Sequence, residues 1–158
     1  MHIGLEEYRA IKRISKRDAD YDTFRREALV LKELRHPGIP MIYDLEEDSE
    51  FFYLIEEYLE GYSLYALIAN QGPIQEAEAV RYGMQVCGLV AYMHSACELP
   101  ILHLDLQPNN LIICNGTVKL IDFDHAAGCR WANIAPKRFG TVGCAAPEQY
   151  ASDRMLDQ

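Results

Sequence analysis

The chain has 158 residues, enough for one ordinary domain with a real core, and 49% hydrophobic with 25% charged residues marks it as globular and not disordered. A formal net charge of −9 argues against nucleic-acid or anionic-membrane binding, since both need surplus Lys and Arg. Five widely spaced cysteines without a C-x-x-C pair speak against a disulfide framework or zinc site and, with no signal peptide or membrane-length apolar run, the chain reads as cytoplasmic.

The first element, "YRAIKRI" (8–14), alternates as a strand, inside a basic cluster of Arg9, Lys12, Arg13, Lys16 and Arg17. Lys12 shares its face with Ala10 and Ile14, an unusual place for a charge unless the strand is an exposed edge. "DYDTFRREALVLKELRHPGIP" (20–40) follows as a helix, with Asp20, Asp22 or Thr23 as candidate caps and Pro37–Gly38 as its stop. Phe24, Ala28, Leu31 and Leu34 form one apolar stripe, and Glu27 falls inside it. A carboxylate on a buried face needs a partner, and the misplaced Lys12 is the obvious one.

"PMIYDLEEDSEFFYLIEEYLEG" (40–61) reads as a hairpin with an acidic turn; residues 44 to 60 hold eight acids and no base. Ser63 is placed to cap a short helix through Ala69. "IQEAEAVRYGMQVCGLVAYMHSA" (74–96) reads as a helix buried on more than one side and weakened at Gly83 and Gly88. "ILHLDLQPNNLII" (101–113) then sets His103, Asp105 and Asn110 in a polar loop between apolar runs; on residue type alone this is as readily a turn as a site. "NLIIC" and "TVKLI" flank Asn115–Gly116, a two-residue hairpin signal. "DFDHAAG" opens an irregular stretch, and Pro147 starts a short helix. Strands and one helix first, then mostly helix, make an α+β chain of two unequal lobes with "EEYLEG" (56–61) as the joint.

In order, "AIK", the helix glutamate, "HLDLQPNN", "DFD" and "AAPE" resemble the eukaryotic-type protein kinases at that family's spacings. "HPGIP" and "GTVGCAAPEQY" are similar to bacterial serine/threonine kinases. The resemblance covers nearly the whole chain and implies a two-lobed kinase fold, with a small β-rich N-lobe portion at 1–57 and a mainly helical C-lobe portion at 58–158. It implies magnesium-dependent transfer of the γ-phosphoryl group of ATP to Ser/Thr hydroxyls of a protein substrate, a reaction of positioning and charge neutralisation. On that pattern Lys12 holds the α- and β-phosphates and Glu27 holds Lys12. Asp105 orients the acceptor hydroxyl and takes its proton, Asn110 and Asp122 bind magnesium, and the backbone of Glu57 to Leu59 binds adenine. His103 packs the loop. Thr141, beside the acceptor site in that family, favours Ser/Thr over Tyr.

The departures from the pattern also carry expectations. Leu104 replaces the arginine before the catalytic aspartate, and Gln107 replaces a lysine that contacts the transferred phosphate; losing such a preorganised charge costs roughly 3 kcal/mol by analogy with an oxyanion donor. Asp124 replaces the glycine of "DFG", Glu56 stands where an apolar residue backs the nucleotide pocket, and Cys144 replaces a tyrosine. The sequence starts at or just before "AIK" and ends ten residues after Glu148, without the family's glycine-rich loop or later helices. The expectation is a partial domain that transfers phosphate poorly alone and exposes apolar surface where the lower lobe would continue. Two other readings compete: a nucleotide- or protein-binding pseudokinase, and a small-molecule kinase of the aminoglycoside or choline type, whose loops resemble "HLDLQPNN…IDFD".

Overall fold

A computed structural model describes residues 7–17, 21–98, 100–128 and 140–150. Strands β1 (Arg9–Ser15), β2 (Ile42–Glu47) and β3 (Phe51–Glu57) form an antiparallel sheet in the order β1-β3-β2. Helix α1 (Tyr21–Glu33) lies across one face of it. The expected stripe of Phe24, Ala28, Leu31 and Leu34 is buried there, and Phe24 stacks on Phe52 with ring centroids 4.9 Å apart. The β2–β3 turn is held by Asp48, whose Oδ1 accepts from the backbone of Glu50 and Phe51 and whose Oδ2 accepts from Tyr53. Two of the three candidate caps are excluded, since Asp22 and Thr23 fall inside α1; Asp20 lies outside the described residues.

The chain then forms β4 (Tyr62–Ser63), α2 (Leu64–Gln71), α3 (Glu76–Ser95) and β5 (Ile101–Leu102). A 3-10 turn at Pro108–Asn110 leads into β6 (Leu111–Cys114), β7 (Thr117–Leu120), β8 (Ala127–Gly128) and α4 (Pro147–Tyr150). A second antiparallel sheet runs β4-β6-β7, and β5 pairs with β8. Ser63 does cap α2, its Oγ accepting from Ala66 N at 3.1 Å, and the helix runs to Gln71, two residues further than expected. Asn115 and Gly116 turn the β6–β7 hairpin with φ of 49° and 80°, left-handed conformations that suit Asn and Gly. From α3, Gln85 clamps that hairpin by donating to Gly116 O and accepting from Val118 N.

The expectation that α3 is buried on several sides is not met. Only Tyr82, Leu89 and Met93 are buried, while Val80 and Met84 are 55% and 71% exposed. The helix packs on β5 and β7, with Val86, Val90 and Tyr92 partly buried against the core, while Val80 and Met84 stay open to solvent. Val142 is also open to solvent. Exposed apolar surface was expected in this half of the chain.

Two contacts tie the sheets together. Leu120 N donates to Gly38 O at 2.8 Å, so the "HPGIP" turn packs on β7. Lys119 of β7 pairs with the Glu57 carboxylate at 2.6 Å, at the end of β3. Gly61 closes the joint where a Cβ would collide with the backbone carbonyl of Ile113, which accounts for a glycine there.

Candidate active site

Period-2 alternation puts Lys12 on the core face of β1, where its cross-strand neighbour is the fully buried Leu54. Its ammonium lies 3.1 Å from both Glu27 oxygens. The two misplaced charges of the sequence are therefore partners. Lys12 also donates to Asp122 at 3.0 Å and to Asp124 at 2.5 Å, so one cation is shared by three carboxylates. One oxygen from each of Glu27, Asp122 and Asp124 lies within 4.8 Å of the others.

The electrostatics follow from burial. Glu27 is only 3% exposed; burial and the neighbouring Asp124 carboxylate push it up to about 8, against the pull of Lys12. Burial disfavours the Lys12 charge, but Glu27, Asp124 and Asp122 outweigh it and raise Lys12 above its ordinary value. Burial acts upward on Asp124 too, yet its contacts with Glu27, Lys12 and Asp122 hold it below the usual carboxylate range. Glu56, on the same face of β3 as Leu54, is raised by burial, with Lys12 partly offsetting the rise.

The second cluster forms around Asp105. Its Oδ1 accepts from the Thr141 hydroxyl at 2.7 Å, and its Oδ2 accepts from Gln107 Nε2 at 2.7 Å and Asn110 Nδ2 at 2.9 Å. Burial would raise this carboxyl, but those three donors hold it below its ordinary value, so it is ionised at neutral pH. Asn110 also donates to Asp105 O at 2.9 Å, closing the loop on itself. His103 packs edge-on against Phe123, with centroids 4.9 Å apart. Its Nε2–H donates to Ile121 O, leaving Nδ1 to accept from Asp105 N. Burial lowers its pKa, which suits a neutral packing group.

Leu104, next to Asp105, and Asp122, within the Lys12 cluster, adopt left-handed φ of 63° and 65°, a conformation rare for leucine. Gln149 of α4 holds the first by donating to Leu104 O at 2.7 Å.

Lys12, Glu27 and Asp122 thus come together, and Asn110 hydrogen-bonds Asp105. Glu57 and Leu59 lie at and just after the end of β3; Glu57 N donates to Met41 O, and the Glu57 side chain is spent on Lys119 and Met41 N. Two contacts went unforeseen. Gln107 and Asp124 stand out in the sequence as departures, but nothing there says that one would orient Asp105 and the other would seize Lys12.

The protein kinase domain family matches residues 1–157, and the chain belongs to that family. It is 35% identical to the serine/threonine-protein kinase PrkC of Bacillus subtilis over 129 residues, covering 80% of this chain and 19% of that protein. It is 38% identical over 145 residues to a probable serine/threonine-protein kinase, KIN1 homolog, of Enterocytozoon bieneusi, covering 90% and 24%. The putative sperm motility kinase W of Mus musculus is 32% identical over 148 residues, covering 93% and 29%. The chain thus spans less than a third of the length of these relatives. The α+β architecture is a portion of the kinase fold, with a sheet-rich first part and helices concentrated after the joint. Among the described residues no helix is long and apolar enough to cross a membrane.

Proposed function

We propose that this chain forms the central part of a serine/threonine protein kinase that moves the γ-phosphoryl group of ATP, as its magnesium complex, to a protein hydroxyl. The division falls at the joint, with 1–57 belonging to the upper lobe and 58–158 to the lower. The observation that carries the proposal is the Asp105 carboxylate, oriented by Thr141, Gln107 and Asn110 while a paired lysine and Asp122 form a second cluster across the joint.

In this reading Lys12 holds the phosphates and Glu27 holds Lys12 on the core face of β1. Asp105, kept ionised by its donors, aligns the acceptor hydroxyl and takes its proton. The backbone of Glu57 to Leu59 receives the adenine. Asp122 and Asn110 serve as oxygen ligands, and the carboxylates gathered at Asp122 suit a hard divalent cation. Held by Asp122 and Asn110, a magnesium ion would supply the positive charge that offsets the phosphates. A cytoplasmic location fits five widely spaced cysteines without a C-x-x-C pair.

The test is phosphate transfer by the full-length protein to protein, aminoglycoside and choline acceptors, alongside magnesium-dependent nucleotide binding. Transfer to protein Ser/Thr that is lost in Asp105→Asn, with nucleotide still bound, is the expected result. Binding without transfer would favour the pseudokinase reading, for which the neutral Gln107 and the extra carboxylate of Asp124 argue. Transfer to the small acceptors alone would identify a small-molecule kinase.

A further inference from the structure

Three carboxylates, Glu27, Asp122 and Asp124, touch the Lys12 ammonium. Among the described residues no other Lys or Arg forms an ion pair with any of them. The other cation near the joint, Lys119, is paired with Glu57. The shortest of the Lys12 contacts, at 2.5 Å, is made by Asp124. A polyanionic nucleotide approaching Lys12 therefore meets an ammonium already engaged and an excess of negative charge around it.

We infer that Asp124 competes with the nucleotide phosphates for the Lys12 ammonium, and that this competition makes nucleotide binding unusually dependent on divalent cation. The inference rests on the reading of Lys12 as the phosphate-binding lysine. Its physical basis is a charge balance. With Asp124 in place, Lys12 meets the phosphates only if added positive charge offsets Asp124. Without that carboxylate, Lys12 keeps Glu27 and Asp122 and has one fewer competitor. Gln107 works in the same direction, because it is neutral and donates to Asp105, adding no positive charge to this site.

The experiment measures equilibrium binding of ADP and of a non-hydrolysable ATP analogue to the purified protein, in chelator and in saturating magnesium. It compares wild type with Asp124→Asn, Asp124→Gly and Asp124→Glu. Asp124→Asn preserves size, so it keeps the test valid should Asp124→Gly loosen the loop, and unliganded melting curves check each fold. For Asn and Gly the ratio of Kd without magnesium to Kd with it should fall by about tenfold or more, the scale of one lost like-charge contact. Asp124→Glu should retain the wild-type ratio. An unchanged ratio in Asn and Gly overturns the inference while leaving magnesium-nucleotide binding, and the proposed function, intact. Absence of nucleotide binding by every form in magnesium would overturn both.

Discussion

Lys12 and Glu27 should be unequal in what their loss costs the fold. Glu27→Gln takes one carboxylate from an ammonium that keeps Asp122 at 3.0 Å and Asp124 at 2.5 Å. Lys12→Met instead takes the shared cation from three carboxylates, one of them only 3% exposed. At an effective dielectric of about 20, each contact near 3 Å contributes roughly 5 kcal/mol before desolvation is subtracted. Glu27→Gln preserves two of the three and removes a buried acid, so its expected cost is about 1 kcal/mol. Stranding buried charge costs about 3–5 kcal/mol; Asp122 and Asp124 are 40% and 38% exposed and screened by water, and Glu27 can hold a proton, which places Lys12→Met near ~3 kcal/mol. The pH dependence has a definite sign. Glu27 rises from an ordinary 4.5 to about 8, so the folded state keeps a proton that the unfolded chain releases. Stability from that proton is complete below about 4.5 and is lost as pH rises through about 8. With Lys12 gone the carboxylates hold protons more firmly, so the Lys12→Met deficit should shrink between pH 8 and pH 5 (roughly the window of that titration). Urea unfolding followed by far-UV circular dichroism at both pH values measures it. Equal costs for the two variants, or a deficit that grows on acidification, would refute the shared-cation account.

Thr141→Val should slow phosphate transfer about tenfold to a hundredfold. It should also move the acid limb of the kcat/KM profile to higher pH, because Asp105 loses a hydrogen bond that favours its ionised form. An unmoved limb would separate Thr141 from the proton acceptor. Gly61→Ala should cost about 2 kcal/mol in chemical denaturation, since the new methyl group meets the Ile113 backbone and not a side chain that can turn away. Finally, phosphatase treatment of the active full-length protein should leave its activity unchanged. Residues 123–140 contain no Ser, Thr or Tyr, and Leu104 stands where many kinases carry the arginine that binds a loop phosphate. A large loss traced by phosphosite mapping to this loop would contradict the expectation.

How legible each part was depended on whether its cause was local. The Lys12–Glu27 pair could be read from two periodicities, because a charge on the apolar face of a strand and another on the apolar stripe of a helix each require a partner. Ser63 and Asn115–Gly116 were legible for the same reason: caps and tight turns are set by a few adjacent residues. The exposure of α3 was not, since apolar composition does not reveal which faces of a helix find a neighbour. Nor were the contacts of Asp124 and Gln107. Each depends on where a loop places one side chain against a strand or loop elsewhere, and no spacing rule reaches that far.

The backbone at the two clusters explains why loops can hold these side chains so closely. Leu104 immediately precedes Asp105 and sits at φ 63°, where a side-chain-bearing residue costs about 1–2 kcal/mol. Asp122 sits at φ 65° next to Phe123, which is almost wholly buried. Such conformations persist only when their surroundings over-determine them. For Leu104 the surroundings are Gln149, which takes its carbonyl, and the His103 ring, which accepts from the next backbone N–H. For Asp122 they are Lys12, which fixes its carboxylate, and the hydrogen bond from Ile121 N to Asn110 O on the residue before. The Ile121 carbonyl is taken by His103, so the two strained loops are braced through one imidazole. Asp105 and Asp122 are therefore positioned jointly. A change that frees the His103 ring should disturb both carboxylates at once, even though it removes no charge from either.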